Sequence, residues 1–188
     1  MVIKMKSIRF FPKQILAALS LAVVFAGGCI SVDADVPEIQ MVQTDMRFDA
    51  VPAEVIRAVG EVSTNQVFSY DHDPFELPDG MESKLRTVGV SLRANQGIED
   101  FSFLRSMRVA ISDDVNPTFE LATFEHVDGS ADNTGEVLVM KVNPDVDTMA
   151  VLKSETLGFD IDLSGSLPTV EWSMDVLVDM SGEFQFTL

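Results

Sequence analysis

The chain has 188 residues, of which 30 are acidic and 13 basic, and its net charge is −17. Every acidic residue follows position 29, so residues 29–188 combine nine basic with 30 acidic side chains for a net charge of −21. A field of this sign repels phosphate backbones and anionic lipid head groups, which argues against nucleic acid, nucleotides and acidic membrane surfaces as partners. Apolar residues make up 46% of the chain and are interleaved with the acids, which predicts a folded domain with a solvated acidic surface.

The first 28 residues have the pattern of a secretory signal. Lys4, Lys6, Arg9 and Lys13 give a basic leader, the run Ile15–Phe25 is apolar except for Ser20, and small residues fill positions 26–28. The apolar run, about eleven residues long, is shorter than the roughly 20 residues that span a bilayer as a helix. The segment therefore predicts a cleaved signal peptide.

Residues 25–29, FAGGC, resemble the lipobox of bacterial lipoproteins. The resemblance implies cleavage before Cys29, transfer of a diacylglycerol to the Cys29 thiol, and acylation of the new amino group by a fatty acid such as palmitate. Two or three acyl chains anchor a protein stably, whereas one does not. Cys29 is the only cysteine, so no internal disulfide competes for the thiol. Two alternatives remain: an ordinary secretory signal with an incidental cysteine, and an uncleaved helical anchor.

The lipobox resemblance also implies a location. Ile30 follows the cysteine, where an Asp retains enteric lipoproteins at the inner membrane, so we expect sorting to the outer membrane. The short acidic segment around Pro37 predicts a tether of about 30 Å when extended. We therefore expect a signal peptide at 1–28, a lipidated N-terminus and tether at 29–38, and one domain at 39–188.

Alternation of apolar and polar residues predicts β-strands through that domain. One strand has Val88, Val90 and Leu92 on its buried face, and the segments 107–111, 159–163 and 172–180 alternate in the same way. Segment 137–142 reads as a strand buried on both faces. Ser181 and Gly182 predict a tight turn into Phe184–Leu188, which would end the chain in a hairpin. That last strand is a candidate edge for strand addition by a partner, or an edge covered by its own neighbours.

Turn residues separate these strands at regular intervals, at 78–80, 95–97, 116–117, 128–130, 143–145 and 164–166. Short strands separated by turns in this way predict an all-β fold, an antiparallel β-sandwich of immunoglobulin-like or jelly-roll-like type. Segments Ala53–Val59 and Asp100–Arg105 are candidate helical turns. The stretch 101–111, FSFLRSMRVAI, resembles in pattern the β-sandwich lipoproteins of bacterial envelopes, a group with no settled activity.

The sequence offers little chemistry for catalysis. Nucleophilic catalysis needs a Ser or Cys beside a base, but Cys29 is committed to lipid and the only histidines are His72 and His126. Ser164 reads as a turn residue. The chain has no G-x-S-x-G, Walker or G-x-G-x-x-G motif and too few Cys and His for structural zinc. We therefore expect a protein that is not an enzyme and carries no cofactor.

Two acidic loops are weak candidates for calcium, which binds carboxylate and carbonyl oxygens. Asp71 and Asp73 flank His72 in the first loop; Asp128, Asp132 and Glu136 lie in the second. Neither loop has EF-hand spacing, and solvated turns rich in Asp and Gly have the same composition. Sugar-binding modules present several flat aromatics, whereas Trp172 and Tyr70 are the only residues of their types, and Trp172 is expected in the core.

These features favour a lipid-anchored cell-envelope protein whose non-catalytic sandwich serves structure or protein binding. The alternative is a calcium- or carbohydrate-binding module displayed on the membrane. A third class, an enzyme with a site assembled from distant carboxylates, has the least support, because coincident acidic pairs are expected everywhere in so acidic a chain.

Overall fold

Two antiparallel sheets face each other around one core in the computed structural model. The model describes residues 31–71, 73–75, 81–113, 115–116 and 118–187, and of 31–38, 81–82 and 183–187 it describes the backbone only. The elements in chain order are β1 (Ser31–Phe48), α1 (Ala53–Val59), β2 (Val62–Asp71), β3 (Met81–Ala94), β4 (Leu104–Ser112), β5 (Phe119–Glu125), β6 (Val137–Val139), β7 (Lys141–Val142), α2 (Met149–Leu152), β8 (Thr156–Gly165) and β9 (Trp172–Thr187).

The four-stranded sheet has the order β1-β9-β3-β6, and the five-stranded sheet has the order β2-β8-β4-β5-β7. Alternate side chains from each sheet meet between them and form a continuous apolar core. This confirms the predicted antiparallel β-sandwich. The predicted inward faces at 107–111, 159–163 and 172–180 are buried, including Trp172 at 3% exposure.

The edges of the two sheets are joined by a side-chain contact. Gln66 of β2, the edge strand of the five-stranded sheet, donates through Nε2 to the backbone oxygen of Arg47 in β1 at 2.9 Å. Between these strands lies α1, which buries no side chain and ends at Gly60, where φ is +79°. The predicted helical turn at Ala53–Val59 is therefore confirmed. The one predicted at Asp100–Arg105 is wrong: 100–103 forms a bend and turn and Leu104 starts β4, although Phe101 and Leu104 are buried as expected.

The predicted terminal hairpin is wrong. Ser181 and Gly182 lie inside β9, which runs without interruption between β1 and β3. A Cβ on Gly182 would lie 2.6 Å from a methyl carbon of Leu85 and 2.7 Å from the Lys84 oxygen. The glycine therefore permits close strand contact here, not a turn. Residues 183–186 pair on both sides and Thr187 pairs with Ser31, so this segment is an edge covered by its own neighbours; Leu188 lies outside the described residues.

Two further faces differ from the sequence prediction. A register shift between Thr87 and Gly89 turns Val88 outward, where it is 46% exposed, and Thr87 inward. Such a bulge breaks the period of two, so simple alternation assigns the wrong face. In β6, Val137 and Val139 are exposed while Leu138 is buried, so this strand is buried on one face only.

The segment predicted as a tether at 29–38 is part of a sheet from Ser31 onward. The backbone of Ser31–Val36 pairs with Gly182–Thr187 of β9, and the register shifts between Val36 and Ile39, around Pro37. Pro37 has no amide hydrogen to give the ladder, which accounts for the irregularity. The sequence contains a signal for this strand, because apolar and acidic residues alternate from Val32 to Val36. Among the described residues, neither helix has the length and apolar character needed to cross a bilayer.

Candidate functional site

The outer face of the five-stranded sheet carries a depression of about 540 Å³, which we call the sheet groove. It crosses four strands, β2, β8, β4 and β5. Its side chains are mostly polar, and they include those of Ser63, Asn65, Ser106, Arg108, Thr123 and Ser164. Its lowest part lies where the two central strands, β4 and β8, present the small side chains of Ser106 and Ser164 outward.

The floor of the sheet groove is a pair of serines. Ser106 of β4 and Ser164 of β8 are direct cross-strand partners, and their Oγ atoms lie 2.6 Å apart. A register shift between Leu104 and Ser106 sets the face on which Ser106 lies. Two hydroxyls bonded to each other keep one donor proton and three acceptor lone pairs for a ligand or for water.

One end of the groove is formed by a bonded set of four side chains, the Arg108 array, which comprises Asn65, Arg108, Asp160 and Asp162. Arg108 donates from Nε to Oδ2 of Asp162 at 2.6 Å and from Nη2 to Oδ2 of Asp160 at 3.3 Å. Asn65 donates from Nδ2 to Oδ1 of Asp160 at 2.5 Å and to Oδ1 of Asp162 at 2.7 Å. Each carboxylate is therefore held by two donors from neighbouring strands.

The array shifts the pKa values of Asp162 and Arg108. The hydrogen bond from Asn65 is the largest influence on the pKa of Asp162 and lowers it; burial, the next largest, raises it, and the hydrogen bond and charge of Arg108 lower it, so that the pKa is lowered overall. Burial acts to lower the pKa of Arg108, but Asp162 and Asp160 together outweigh it and the pKa is raised. Asp162 is therefore ionised at neutral pH, which suits recognition and not general-acid chemistry.

The lowered pKa of Asp162 predicts an acid-dependent stability contribution. A carboxylate whose pKa is lower in the folded than in the unfolded chain stabilises the fold at pH values above its unfolded pKa, which is near 3.8. This stabilisation is lost as the pH falls through the pKa of the folded chain. We expect Asp162→Asn to remove less than about 1 kcal/mol at pH 7, because the side chain is 44% exposed.

Thermal melts of the full chain in detergent between pH 6 and about 3 measure this contribution. The melting temperature should depend less on pH in the variant than in the wild type over the acid end of the range. The control is Glu54→Gln on exposed α1, which should keep the wild-type pH dependence. Equal slopes for Asp162→Asn and wild type would show that the array does not act as a charged unit.

The calcium candidates of the second loop are dispersed among other partners. Asp128 pairs with Arg105, and Oδ1 of Asp132 lies 3.0 Å from Nδ1 of His126. Glu136 is exposed. Asn133, in contrast, is buried and donates from Nδ2 to the Leu104 oxygen at 3.0 Å, which pins the loop to β4. The hydrogen bond from Arg105 lowers the pKa of Asp128.

In the first loop, Asp71 ends β2 and Asp73 follows it, both exposed, while His72 lies outside the described residues. Within the described part of the chain, no three His, Cys, Asp or Glu side chains are grouped so as to hold a metal ion. Calcium binding at either loop stays a prediction. Cys29 and the signal segment also lie outside the described residues, so lipidation stays a prediction as well.

The sequence analysis missed the residues of the sheet groove. It treated Ser164 as a turn residue, whereas Ser164 belongs to β8 and lies on the groove floor. Asp160, Asp162 and Arg108 were recognised only as the outward positions of their strands. One signal was available in the sequence: Arg108 lies on the outward face of one predicted strand, and Asp160 and Asp162 lie on the outward face of another. That these two strands are neighbours, however, depends on a strand order that the sequence does not give.

No protein-family model matches the chain. The search of curated proteins also returned no match.

Proposed function

We propose that the chain is a lipid-anchored protein of the bacterial cell envelope, sorted to the outer membrane, whose β-sandwich acts by binding and not by catalysis. The anchoring part rests on the basic leader, the apolar run and the FAGGC sequence that ends at Cys29. The binding part rests on one observation, the Arg108 array beside an open polar groove. Together these features describe a module held at a membrane that presents a fixed surface to a partner.

The fold suits this arrangement, because β1 starts only two residues after Cys29. Two extended residues reach about 7 Å, so an acylated Cys29 would hold the start of the four-stranded sheet at the bilayer surface. The sheet groove is on the outer face of the other sheet. It therefore faces away from the strand that leads to the lipid and stays accessible to envelope components.

The polar groups of the groove favour binding over catalysis, because the carboxylates of the Arg108 array are already hydrogen-bonded within the protein. Both oxygens of Asp162 and both of Asp160 already accept hydrogen bonds from the protein. General acids and bases work best with a pKa near the operating pH, whereas the pKa of Asp162 is lowered from an already acidic value. A rigid, prebonded set of donors and acceptors is the arrangement that reduces the entropy lost on binding.

The anchoring proposal predicts the behaviour of Cys29→Ser. Without the thiol no diacylglycerol can be attached, so we expect the variant to leave the carbonate-washed membrane pellet, while the wild type stays in it. Ile30→Ala keeps the thiol and serves as the matched control that should remain in the pellet. Fractionation of cells labelled with radioactive palmitate measures both the membrane retention and the acylation of each variant. Retention of Cys29→Ser in the washed pellet would contradict lipid anchoring at this residue.

A protein partner and a saccharide are the two ligand classes to distinguish. Pull-down from envelope solubilised in detergent would find stable protein partners, and glycan arrays would find saccharides. The hydroxyl-rich lining of the sheet groove favours the saccharide. Calcium at the second acidic loop has no such support, because Asp128 and Asp132 each lie against a basic or imidazole side chain.

A further inference from the structure

We propose that the sheet groove binds a short, neutral saccharide through its hydroxyl groups. This inference rests on the proposed function, in that it assumes the sandwich acts by binding. It goes further by assigning the site, its residues and the chemical class of its ligand. The size of the groove, its hydrogen-bonding groups and its charge all favour such a ligand.

The size and shape of the groove suit a small ligand. Its volume, about 540 Å³, lies in the range of about 300–1,000 Å³ that is usual for small-molecule sites. The floor runs along two neighbouring strands at Ser106 and Ser164, and Asn65 and Thr123 lie on the strands at either side. An elongated, shallow site of this kind fits a ligand of one or two rings better than a compact ion.

The hydrogen-bonding groups match a polyhydroxylated ligand. Four hydroxyls on the outward face line the groove, and each can donate and accept; they belong to Ser63, Ser106, Thr123 and Ser164. Sugar hydroxyls have the same dual character, so each can exchange its bonds to water for bonds to the groove. A site built in this way rejects analogues that lack the hydroxyls, because its own polar groups are then left unpaired.

The charge of the groove disfavours other ligand classes. Among the lining residues, Arg108 is the only cation, and two carboxylates already occupy its Nε and Nη2 donors. Asp162 and Glu125 give the lining an excess of negative charge, which repels phosphate, sulfate and acidic sugars. A metal ion would have to compete with Arg108 for Asp162. Neutral ligands avoid both penalties.

The apolar residues that border the groove turn inward. The side chains of Met107, Phe124 and Leu163 belong to the core and are at most 7% exposed. The two aromatic residues that could have stacked on a sugar, Tyr70 and Trp172, are also buried, at 1% and 3% exposure. Recognition would therefore depend on the hydroxyl edges of the ligand, and we expect modest affinity with strong dependence on hydroxyl stereochemistry.

The experiment screens the purified full chain on an array of neutral, acidic and amino glycans, followed by titration calorimetry with the best ligand. The detergent must lack a sugar head group, since an alkyl glycoside would compete. Ser164→Gln fills the groove floor, and Thr123→Gln narrows it from β5. Ser91→Gln, on the outer face of the four-stranded sheet between Leu177 and Val139, is the matched control. Circular dichroism melts show which variants remain folded.

We expect retention of neutral glycans, and a loss of about tenfold or more in affinity for Ser164→Gln and Thr123→Gln but not for Ser91→Gln. If Ser164→Gln unfolds, Thr123→Gln alone decides. Retention of no neutral glycan, of charged glycans only, or an equal loss in the control variant would overturn the proposal. These outcomes are independent of the Cys29→Ser fractionation, so failure of the saccharide site and failure of lipid anchoring are separately visible.

Discussion

Replacing Trp172 with alanine should lower the free energy of unfolding by about 3–5 kcal/mol, the range for removal of a large buried aromatic side chain. Trp172 stacks on Phe48 with ring centroids 4.3 Å apart and meets the edge of Phe103 at 5.2 Å. Phe48 in turn contacts Phe68 of the other sheet at 5.3 Å. The indole therefore supports a cluster that joins the two sheets, and its loss would leave a cavity there.

Equilibrium unfolding of the full chain in urea, followed by circular dichroism, measures this effect. Fluorescence is unsuitable because Trp172 is the only tryptophan. Val139→Ala is the control: Val139 is 72% exposed on β6, and its truncation should change stability by no more than about 0.5 kcal/mol. A change below about 1 kcal/mol for Trp172→Ala would mean that the aromatic cluster is not part of the cooperative core.

A second large effect is expected for Gly165→Ala at the end of β8. The added Cβ would lie 2.1 Å from the Phe103 oxygen and 2.9 Å from the Arg105 nitrogen, and φ is +147°. Backbone atoms on β4 would have to move, which would disturb the pairing of β8 with both β2 and β4. We expect a loss of about 2–5 kcal/mol, from overpacking combined with an unfavourable backbone conformation.

Gly60→Ala separates the two causes. Gly60 also has a positive φ, +79°, but its Cβ would meet no atom within 4 Å. It should therefore lose only about 1 kcal/mol, from backbone strain alone. Thermal and urea unfolding of the two variants provide the comparison. If Gly165→Ala is no worse than Gly60→Ala, the close approach of β4 to β8 is not present in solution.

The fold class could be predicted from sequence because alternation is a local property. Met107, Val109 and Ile111 of β4 and Met174, Val176 and Val178 of β9 are buried as predicted, since burial of one strand face requires no knowledge of its neighbours. The prediction failed where contact with a neighbouring strand decides which way a residue faces or whether it lies in a turn. Gly182 reads as a turn residue until the side chain of Leu85 is known to lie against it. The bulge at Val88 likewise depends on pairing with β9.

The sheet groove could not be predicted for the same reason. Asn65 lies 95 residues before Asp160 in sequence, and Ser106 lies 58 before Ser164, yet these pairs are in hydrogen-bond contact. Sequence analysis looked instead for local clusters of acids, and it found the loops at 71–73 and 128–136. Local clusters of acids are common in so acidic a chain, whereas a site assembled across four strands has no local pattern.

The position of β9 has a consequence for how the chain reaches its folded state. Among the described strands, β1 pairs only with β9, which lies more than a hundred residues later, so β1 has no lasting partner there until β9 has been made. Long-range pairing of this kind slows folding and leaves early segments extended. Such a delay would suit the export across a membrane that we propose for this chain, because a polypeptide must be unfolded to be threaded through.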